Sequence, residues 1–136
     1  MNFELPQAGV YEYVPRERIR WGQAALDAVR EEIGDTARLF ILTTASLVNK
    51  TQIIDEMQRG LSPQCCGVFH NISEHTPFSD VIDATQAART ANADIILSIG
   101  GGSIIDAAKA VIICLRESID TVEALSSRIG QISEGP

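Results

Sequence analysis

The chain has 136 residues, of which 45% are apolar and 21% are charged, so its size and composition predict one soluble domain. Its formal net charge of −7 argues against nucleic acid or an anionic membrane as the main partner, because both recruit a basic protein face. No apolar stretch is long enough for a membrane span, and the first residues lack a signal-peptide pattern. The sequence therefore predicts a cytoplasmic protein that binds neither nucleic acid nor membrane.

The first third of the chain predicts strand, helix and strand. Residues 9–14 are expected to form a strand, and Pro15 is expected to open a helix over 16–33 that ends at Gly34. The almost continuously apolar run 38–43 predicts a strand buried on both faces, as in a parallel sheet.

The same alternation continues in the middle of the chain. A helix is predicted over 46–59, with Ser46 as N-cap and Gly60 as its end, and a strand over 65–69. A further helix is predicted to run to Asn92. Thr76 would be its N-cap, with Pro77 as its first helical residue.

The last third holds the clearest strand, residues 94–99, followed at once by three glycines. An apolar helix is predicted over 103–115, a weaker one over 121–128, and a loop over 130–136. Strand and helix alternation with short connections predicts a Rossmann-like α/β fold, a doubly wound parallel sheet in three layers. In such sheets ligands bind beyond the carboxyl ends of the strands.

Three cysteines, Cys65, Cys66 and Cys114, include no C-x-x-C pair. They lie in apolar surroundings and are an odd number, so they are predicted to be buried free thiols, which indicates a reducing compartment.

The glycine turn, Gly100-Gly101-Gly102-Ser103, joins a buried strand to the start of a helix. Glycine lets a ligand approach the backbone closely, and unpaired N–H groups at a helix start bind phosphate. The turn therefore predicts a phosphate site; the alternative is a tight turn without a ligand. On the same helix Asp106 and Lys109 are three residues apart. They either form a surface ion pair, or Lys109 offsets phosphate charge while Asp106 holds Lys109 or a ribose hydroxyl.

The stretch from Asp94 to Ala110 resembles the iron-type (iron-containing, group III) alcohol dehydrogenase family, whose pattern is an aspartate opening an apolar strand and then G-G-G-S-x-x-D-x-A-K. The resemblance implies that residues 1–136 form a dinucleotide-binding domain of an oxidoreductase. Such an enzyme transfers hydride between NAD(P)H and an alcohol, aldehyde or keto substrate. The implied cofactor-binding residues are Thr44, Ser46, His75, Gly100, Gly101, Gly102, Ser103, Asp106 and Lys109.

Two positions bear on the subfamily. Many members of the family carry aspartate where Thr44 stands, and a carboxylate there repels the 2′-phosphate of NADP. The resemblance thus implies that both NAD and NADP are tolerated. The stretch Glu74-His75-Thr76-Pro77 is similar to maleylacetate reductases, so a fragment of such an enzyme is a further alternative.

The family's C-terminal helical domain carries a catalytic iron or zinc through one aspartate and three histidines, and nothing in this sequence matches that set. The chain is therefore expected to be a truncated form without the helical domain, with no metal site and no assigned catalytic residue, and to be inactive alone. Two other functions stay open: a non-catalytic nucleotide- or phosphate-binding module, and an interaction unit that forms a homodimer through an exposed apolar cleft wall.

Overall fold

The computed structural model describes residues 9–14 and 17–133, and the side chains of residues 18–130. The chain forms two compact units, Met1–Asp35 and Thr36–Pro136, and each is described by itself. That residues 1–136 act as one dinucleotide-binding domain stays a prediction.

The first unit contains a β-hairpin and a helix. Strands β1 (Gly9–Val14) and β2 (Glu17–Trp21) pair in antiparallel register, and helix α1 (Ala25–Ile33) ends at Gly34, whose φ is 69°. The strand over 9–14 and the helix end at Gly34 are confirmed. The predicted helix start is wrong, because 17–21 is a strand; Pro15 lies outside the described residues. The segment alternates charged and apolar residues, the period of a strand, and this signal outweighs the helical spacing.

An arginine fork joins the hairpin to the helix inside this unit. Arg20 donates from Nε to Glu32 Oε1 at 2.7 Å and from Nη1 to Glu31 Oε2 at 2.5 Å. The hydrogen bond from Arg20 is the largest of the effects that hold the pKa of the Glu32 carboxyl below its ordinary value. Charge-assisted contacts thus fix β2 against α1.

The second unit is built on a parallel sheet of three strands, β3 (Leu39–Leu42), β4 (Cys65–Phe69) and β5 (Ile95–Ser98). Their order is β4-β3-β5, so β3 is central. All four residues of β3 are buried, as its continuous apolar run predicts. The three strands predicted in this unit are confirmed.

Five helices accompany this sheet: α2 (Ala45–Lys50), α3 (Ile53–Gly60), α4 (Phe78–Thr90), α5 (Gly102–Glu117) and α6 (Val122–Ser133). The chain passes from β3 to β4 on one side and then across to β5 on the other. Because such crossovers are right-handed, α2 and α3 lie on one face of the sheet and α4 on the opposite face. The Rossmann-like α/β class is confirmed.

The main core lies between one sheet face and helices α4, α5 and α6. It contains Leu42 from β3, and α4 contributes Val81 and Ala84. Helix α5 adds Ala107 and Val111, among others. A well-packed helix α5 holds its own N-terminus in a fixed place at the end of β5.

Several predicted helix boundaries are corrected. Helix α2 is capped by Thr44, whose hydroxyl accepts a 3.2 Å hydrogen bond from the N–H of Leu47, so Ser46 is not the N-cap. The single helix predicted over 46–59 is two helices, because Thr51 ends α2 in an extended conformation. The hydroxyl of Thr51 donates to the carbonyl of Leu47, so this carbonyl in the last turn of α2 has a hydrogen-bond partner.

The boundaries of α4 and α6 also differ. Pro77 is the N-cap residue of α4, one position later than predicted, and Thr76 adopts a φ of 46° outside the helix. Helix α6 reaches Ser133, so residues 130–133 are helical where a loop was predicted. Residues 134–136 lie outside the described part.

The cysteines are free thiols; Cys114 is buried, whereas Cys65 and Cys66 are half-buried. No helix among the described residues is long and apolar enough to cross a membrane.

Candidate functional site

The carboxyl ends of the three parallel strands meet at one edge of the sheet. The hydroxyl of Thr43 donates a 2.8 Å hydrogen bond to the carbonyl of Ile99, and the N–H of Ile99 donates to the carbonyl of Leu42 at 2.9 Å. A single β-bridge connects Thr44 to Asn71 after β4. The loops that follow β3, β4 and β5 are thus held side by side.

These loops enclose an open cleft with a volume of about 450 Å³. Its wall combines small and polar residues with two isoleucines and one carboxylate. The lining residues are Thr44, Ala45, Ser46, Ile72, Ser73, Glu74, Gly101, Gly102, Ser103 and Ile104. The position beyond the carboxyl ends of the strands is where ligands bind in open α/β sheets.

Glycine stands at the three positions of the turn for different structural reasons. Gly100 has a φ of 150°, and a Cβ there would lie 3.0 Å from Cγ1 of Ile104, so the backbone itself requires glycine. Gly101 has a φ of −88°, which any residue adopts, and a Cβ there would meet no atom within 4 Å. A Cβ at Gly102 would also meet open space. The fold does not need glycine at 101 or 102, but their bare backbone leaves room for a ligand to approach.

The N-terminus of α5 faces the same cleft. The carbonyl of Gly101 accepts the N–H groups of Ile104 and Ile105, and no side chain caps the helix. Among the described residues, the backbone N–H groups of Gly102 and Ser103 donate to no protein atom. Two free N–H groups at the positive end of a helix of 16 residues are the arrangement that binds anions in other proteins.

The loop between β4 and α4 forms the facing wall. Asp80 Oδ2 accepts the N–H of Ser73 at 2.8 Å, and the hydroxyl of Thr76 lies 3.5 Å from the carbonyl of Ser103, to which it donates. His75 and Thr76 have φ values of 64° and 46°, a conformation that L-residues adopt at a cost. These contacts tie the loop to the glycine turn.

The structure brings together five of the nine predicted cofactor-binding residues in the cleft lining: Thr44, Ser46, Gly101, Gly102 and Ser103. Gly100 supports the turn without being among the lining residues, and His75 lies in the loop that carries Glu74. The cofactor roles of all nine residues stay predictions.

Asp106 and Lys109 lie further along α5, outside the cleft lining. They form an ion pair with an Oδ1–Nζ distance of 3.8 Å, and their side chains are 76% and 72% exposed. Such a pair contributes little to stability.

Four of the lining residues were not predicted from the sequence: Ala45, Ile72, Ser73 and Ile104. Glu74 belongs to the stretch Glu74-His75-Thr76-Pro77, which already showed a family resemblance in the sequence, but no cofactor role was predicted for it. The available signal was the rule that loops after parallel strands converge, applied to the end of β4 as well as to β3 and β5.

The described residues contain no group of three or more His, Cys, Asp or Glu side chains that could hold a metal ion. The side chains here therefore do not fit an iron or zinc site, which needs three or four converging ligands. No chemical step of this part of the chain is assigned to a metal.

The sequence model of the family described as "Iron-containing alcohol dehydrogenase" matches residues 15–134. The NADPH-dependent aldehyde reductase YqhD of Escherichia coli K12 is 28% identical over 92 residues, covering 68% of this chain and 24% of the relative. A maleylacetate reductase of Rhizobium sp. is 33% identical over 107 residues, covering 77% of this chain and 29% of the relative.

Solved structures give the same result. The crystal structure of E. coli K-12 YqhD matches with a TM-score of 0.59 and 26% identity over 65% of this chain and 23% of that chain. The chain spans about a quarter of the length of the relatives it matches. Family model, relatives and structure agree, and the chain belongs to the iron-containing alcohol dehydrogenase family.

Proposed function

We propose that this chain is the nucleotide-binding part of an oxidoreductase, and that its cleft holds the pyrophosphate of NAD or NADP at the N-terminus of α5. The observation that carries the proposal is the open space at Gly101 and Gly102, next to two free backbone N–H groups. A phosphate oxygen needs this close access to the backbone, and a side chain at either position would fill it.

The residues of the cleft have separate tasks in this proposal. The N–H groups of Gly102 and Ser103 bind the phosphates, and the hydroxyls of Thr44 and Ser46 bind the sugar at the end of β3. Lys109 offsets phosphate charge from a distance. The bound dinucleotide supplies or takes the hydride exchanged with an alcohol, aldehyde or keto substrate, while this chain binds and orients it.

The test is calorimetric titration of the 136-residue chain with NADH and NADPH, for the parent and for Gly101→Val. We expect the parent to bind with micromolar affinity and Gly101→Val to bind at least tenfold more weakly, about 1.4 kcal/mol or more, because the side chain occupies the phosphate position. The matched control is Gly130→Val, where a Cβ also meets no atom within 4 Å but lies on α6, away from the cleft lining.

Equal affinities in the parent and in Gly101→Val would contradict the phosphate site and leave the glycines as a turn. An unfolding midpoint of Gly101→Val equal to that of the parent shows that the fold is intact, as its φ of −88° predicts.

A second candidate is a nucleotide- or phosphate-binding module without catalysis. It is favoured by the two free N–H groups at the N-terminus of α5, because such groups bind the phosphate of any nucleotide and are not specific to a dinucleotide. Tighter binding of ADP or inorganic phosphate than of NADH would support this module over the dehydrogenase part. A cytoplasmic location and a homodimer stay predictions from the sequence.

A further inference from the structure

The charge of the cleft is set by a single residue. Among the described residues that line the cleft, Glu74 is the one ionisable side chain, and none is a lysine, an arginine or a histidine. Within the cleft lining, attraction for phosphate therefore comes from backbone N–H groups at the glycine turn, and Lys109 acts only from outside the lining. A negative charge faces the ligand from the loop after β4.

Glu74 is held at this position by contacts on both sides of it. The residue before it, Ser73, is fixed through its N–H by Asp80 at 2.8 Å. Two residues later the hydroxyl of Thr76 donates to the carbonyl of Ser103 in the first turn of α5. Because both ends of this short segment are attached, the backbone of Glu74 stays beside the cleft, which its exposed side chain lines.

Thr44 and Glu74, which line the cleft from the loops after β3 and β4, differ in charge. Thr44, at the end of the central strand, brings only a hydroxyl, which already caps α2. A carboxylate accepts hydrogen bonds from a ribose diol, whereas a 2′-phosphate brings two further negative charges and calls for a cation. In the described part of the chain, the cleft lining offers the carboxylate of Glu74 and no cationic side chain.

We infer that Glu74 is a specificity-determining residue that makes the cleft prefer NAD over NADP. The inference rests on the proposed function, since it assumes that a dinucleotide occupies the cleft. It sets this chain apart from the relative named an NADPH-dependent aldehyde reductase. The preference comes from electrostatic repulsion, so it depends on salt.

The size of the effect follows from Coulomb's law. At the high dielectric of an exposed cleft, a carboxylate and a dianionic phosphate that lie within about one low-salt screening length of each other repel enough for a preference of about tenfold. In about 0.5 M NaCl the screening length falls to roughly 4 Å, and the preference shrinks to about threefold or less.

The experiment measures the affinities of NAD⁺, NADP⁺ and ADP by calorimetry at low and high salt. The variants are Glu74→Gln, which keeps size and an acceptor oxygen, and Glu123→Gln, which removes the same charge from α6 outside the cleft lining. In Glu74→Gln we expect NADP⁺ to bind about tenfold more tightly, NAD⁺ to change by less than about threefold, and the salt dependence of their ratio to disappear. Glu123→Gln should keep the ratio of the parent.

Two results overturn the inference. If the parent binds NAD⁺ and NADP⁺ equally, or if Glu74→Gln leaves their ratio unchanged, Glu74 does not select the ligand, and the phosphate site itself stands. If the parent binds none of NAD⁺, NADP⁺ and ADP, the proposed function fails and the inference fails with it. A shift of the ratio in Glu74→Gln alone, lost at high salt, establishes the role, because a structural effect of the substitution would not depend on ionic strength.

Discussion

A hydrogen bond between Thr43 and Ile99 joins the ends of β3 and β5 immediately before the glycine turn. The side chain of Thr43 is completely buried, and its hydroxyl donates a 2.8 Å hydrogen bond to the carbonyl oxygen of Ile99. The strands β3 and β5 are already paired through their backbones, so this contact extends their connection to the last residue before Gly100. The position of the turn therefore depends on a side chain of the neighbouring strand.

Replacing Thr43 tests this relationship. Thr43→Val keeps the shape but leaves the carbonyl of Ile99 without its donor, so we expect the free energy of unfolding to fall by about 1–2 kcal/mol in urea titrations. Thr43→Ser keeps the hydroxyl and should lose less than half as much. If serine and valine cost the same, the hydrogen bond contributes nothing measurable.

The same substitution at two neighbouring glycines should change stability to different extents. Gly100→Ala places a Cβ 3.0 Å from Ile104 at a φ of 150°, so we expect a loss of at least about 1 kcal/mol in unfolding free energy. Gly101→Ala meets open space at an ordinary φ and should change stability by less than about 0.5 kcal/mol. Equal losses at both positions in thermal or urea unfolding would contradict the assignment of Gly100 to the fold and Gly101 to the ligand.

Stability should fall in alkaline solution because of a buried thiol. Burial raises the pKa of the Cys114 thiol above its ordinary value of 9.0, and the neighbouring Thr85 side chain only partly offsets this. The unfolded chain then loses its thiol proton at a lower pH than the folded chain. The contribution of the protonated Cys114 thiol to the free energy of unfolding is complete below about pH 9 and is lost as the pH rises further.

The measurement is the unfolding free energy at several pH values for the parent and for Cys114→Ala. The variant should be less stable at neutral pH, because the substitution leaves a cavity, and should show a smaller decline above pH 9. Cys65→Ala is the companion variant, since burial also raises the pKa of the Cys65 thiol. An unchanged slope in both variants would assign the alkaline decline to other groups.

We expect this chain to bind a dinucleotide without catalysing turnover. No cluster of metal-ligating side chains exists among the described residues, so EDTA should leave the affinity for NADH unchanged. We also expect no oxidation of NADPH with a short-chain aldehyde, with or without added Fe²⁺ or Zn²⁺, followed at 340 nm. Turnover by the purified 136-residue chain would contradict this prediction, and loss of NADH affinity in EDTA would indicate a metal-dependent site.

The sequence predicted most of the fold because its signals were local. The apolar run of β3, the strand before the glycine turn and the long helix α5 all lie where composition and periodicity placed them. The sequence predicts helix at β2 because this short segment fits both the helical period and the strand period. Pairing with β1 makes it a strand. The break at Thr51 was missed because a threonine inside a helical pattern is also compatible with a continuous helix.

By itself the sequence determined the parallel α/β class, the glycine turn and the family to which the turn belongs. It could do so because each rests on neighbouring residues: a strand period, a run of glycines and a helix start. The tertiary structure alone decided that Ile72 and Ser73 line the cleft together with the glycine turn. It also decided that the backbone conformation requires glycine at Gly100, whereas Gly101 leaves open space for a ligand. These facts depend on the order β4-β3-β5, which brings together loops about 30 residues apart along the chain, and no local pattern encodes that distance in space.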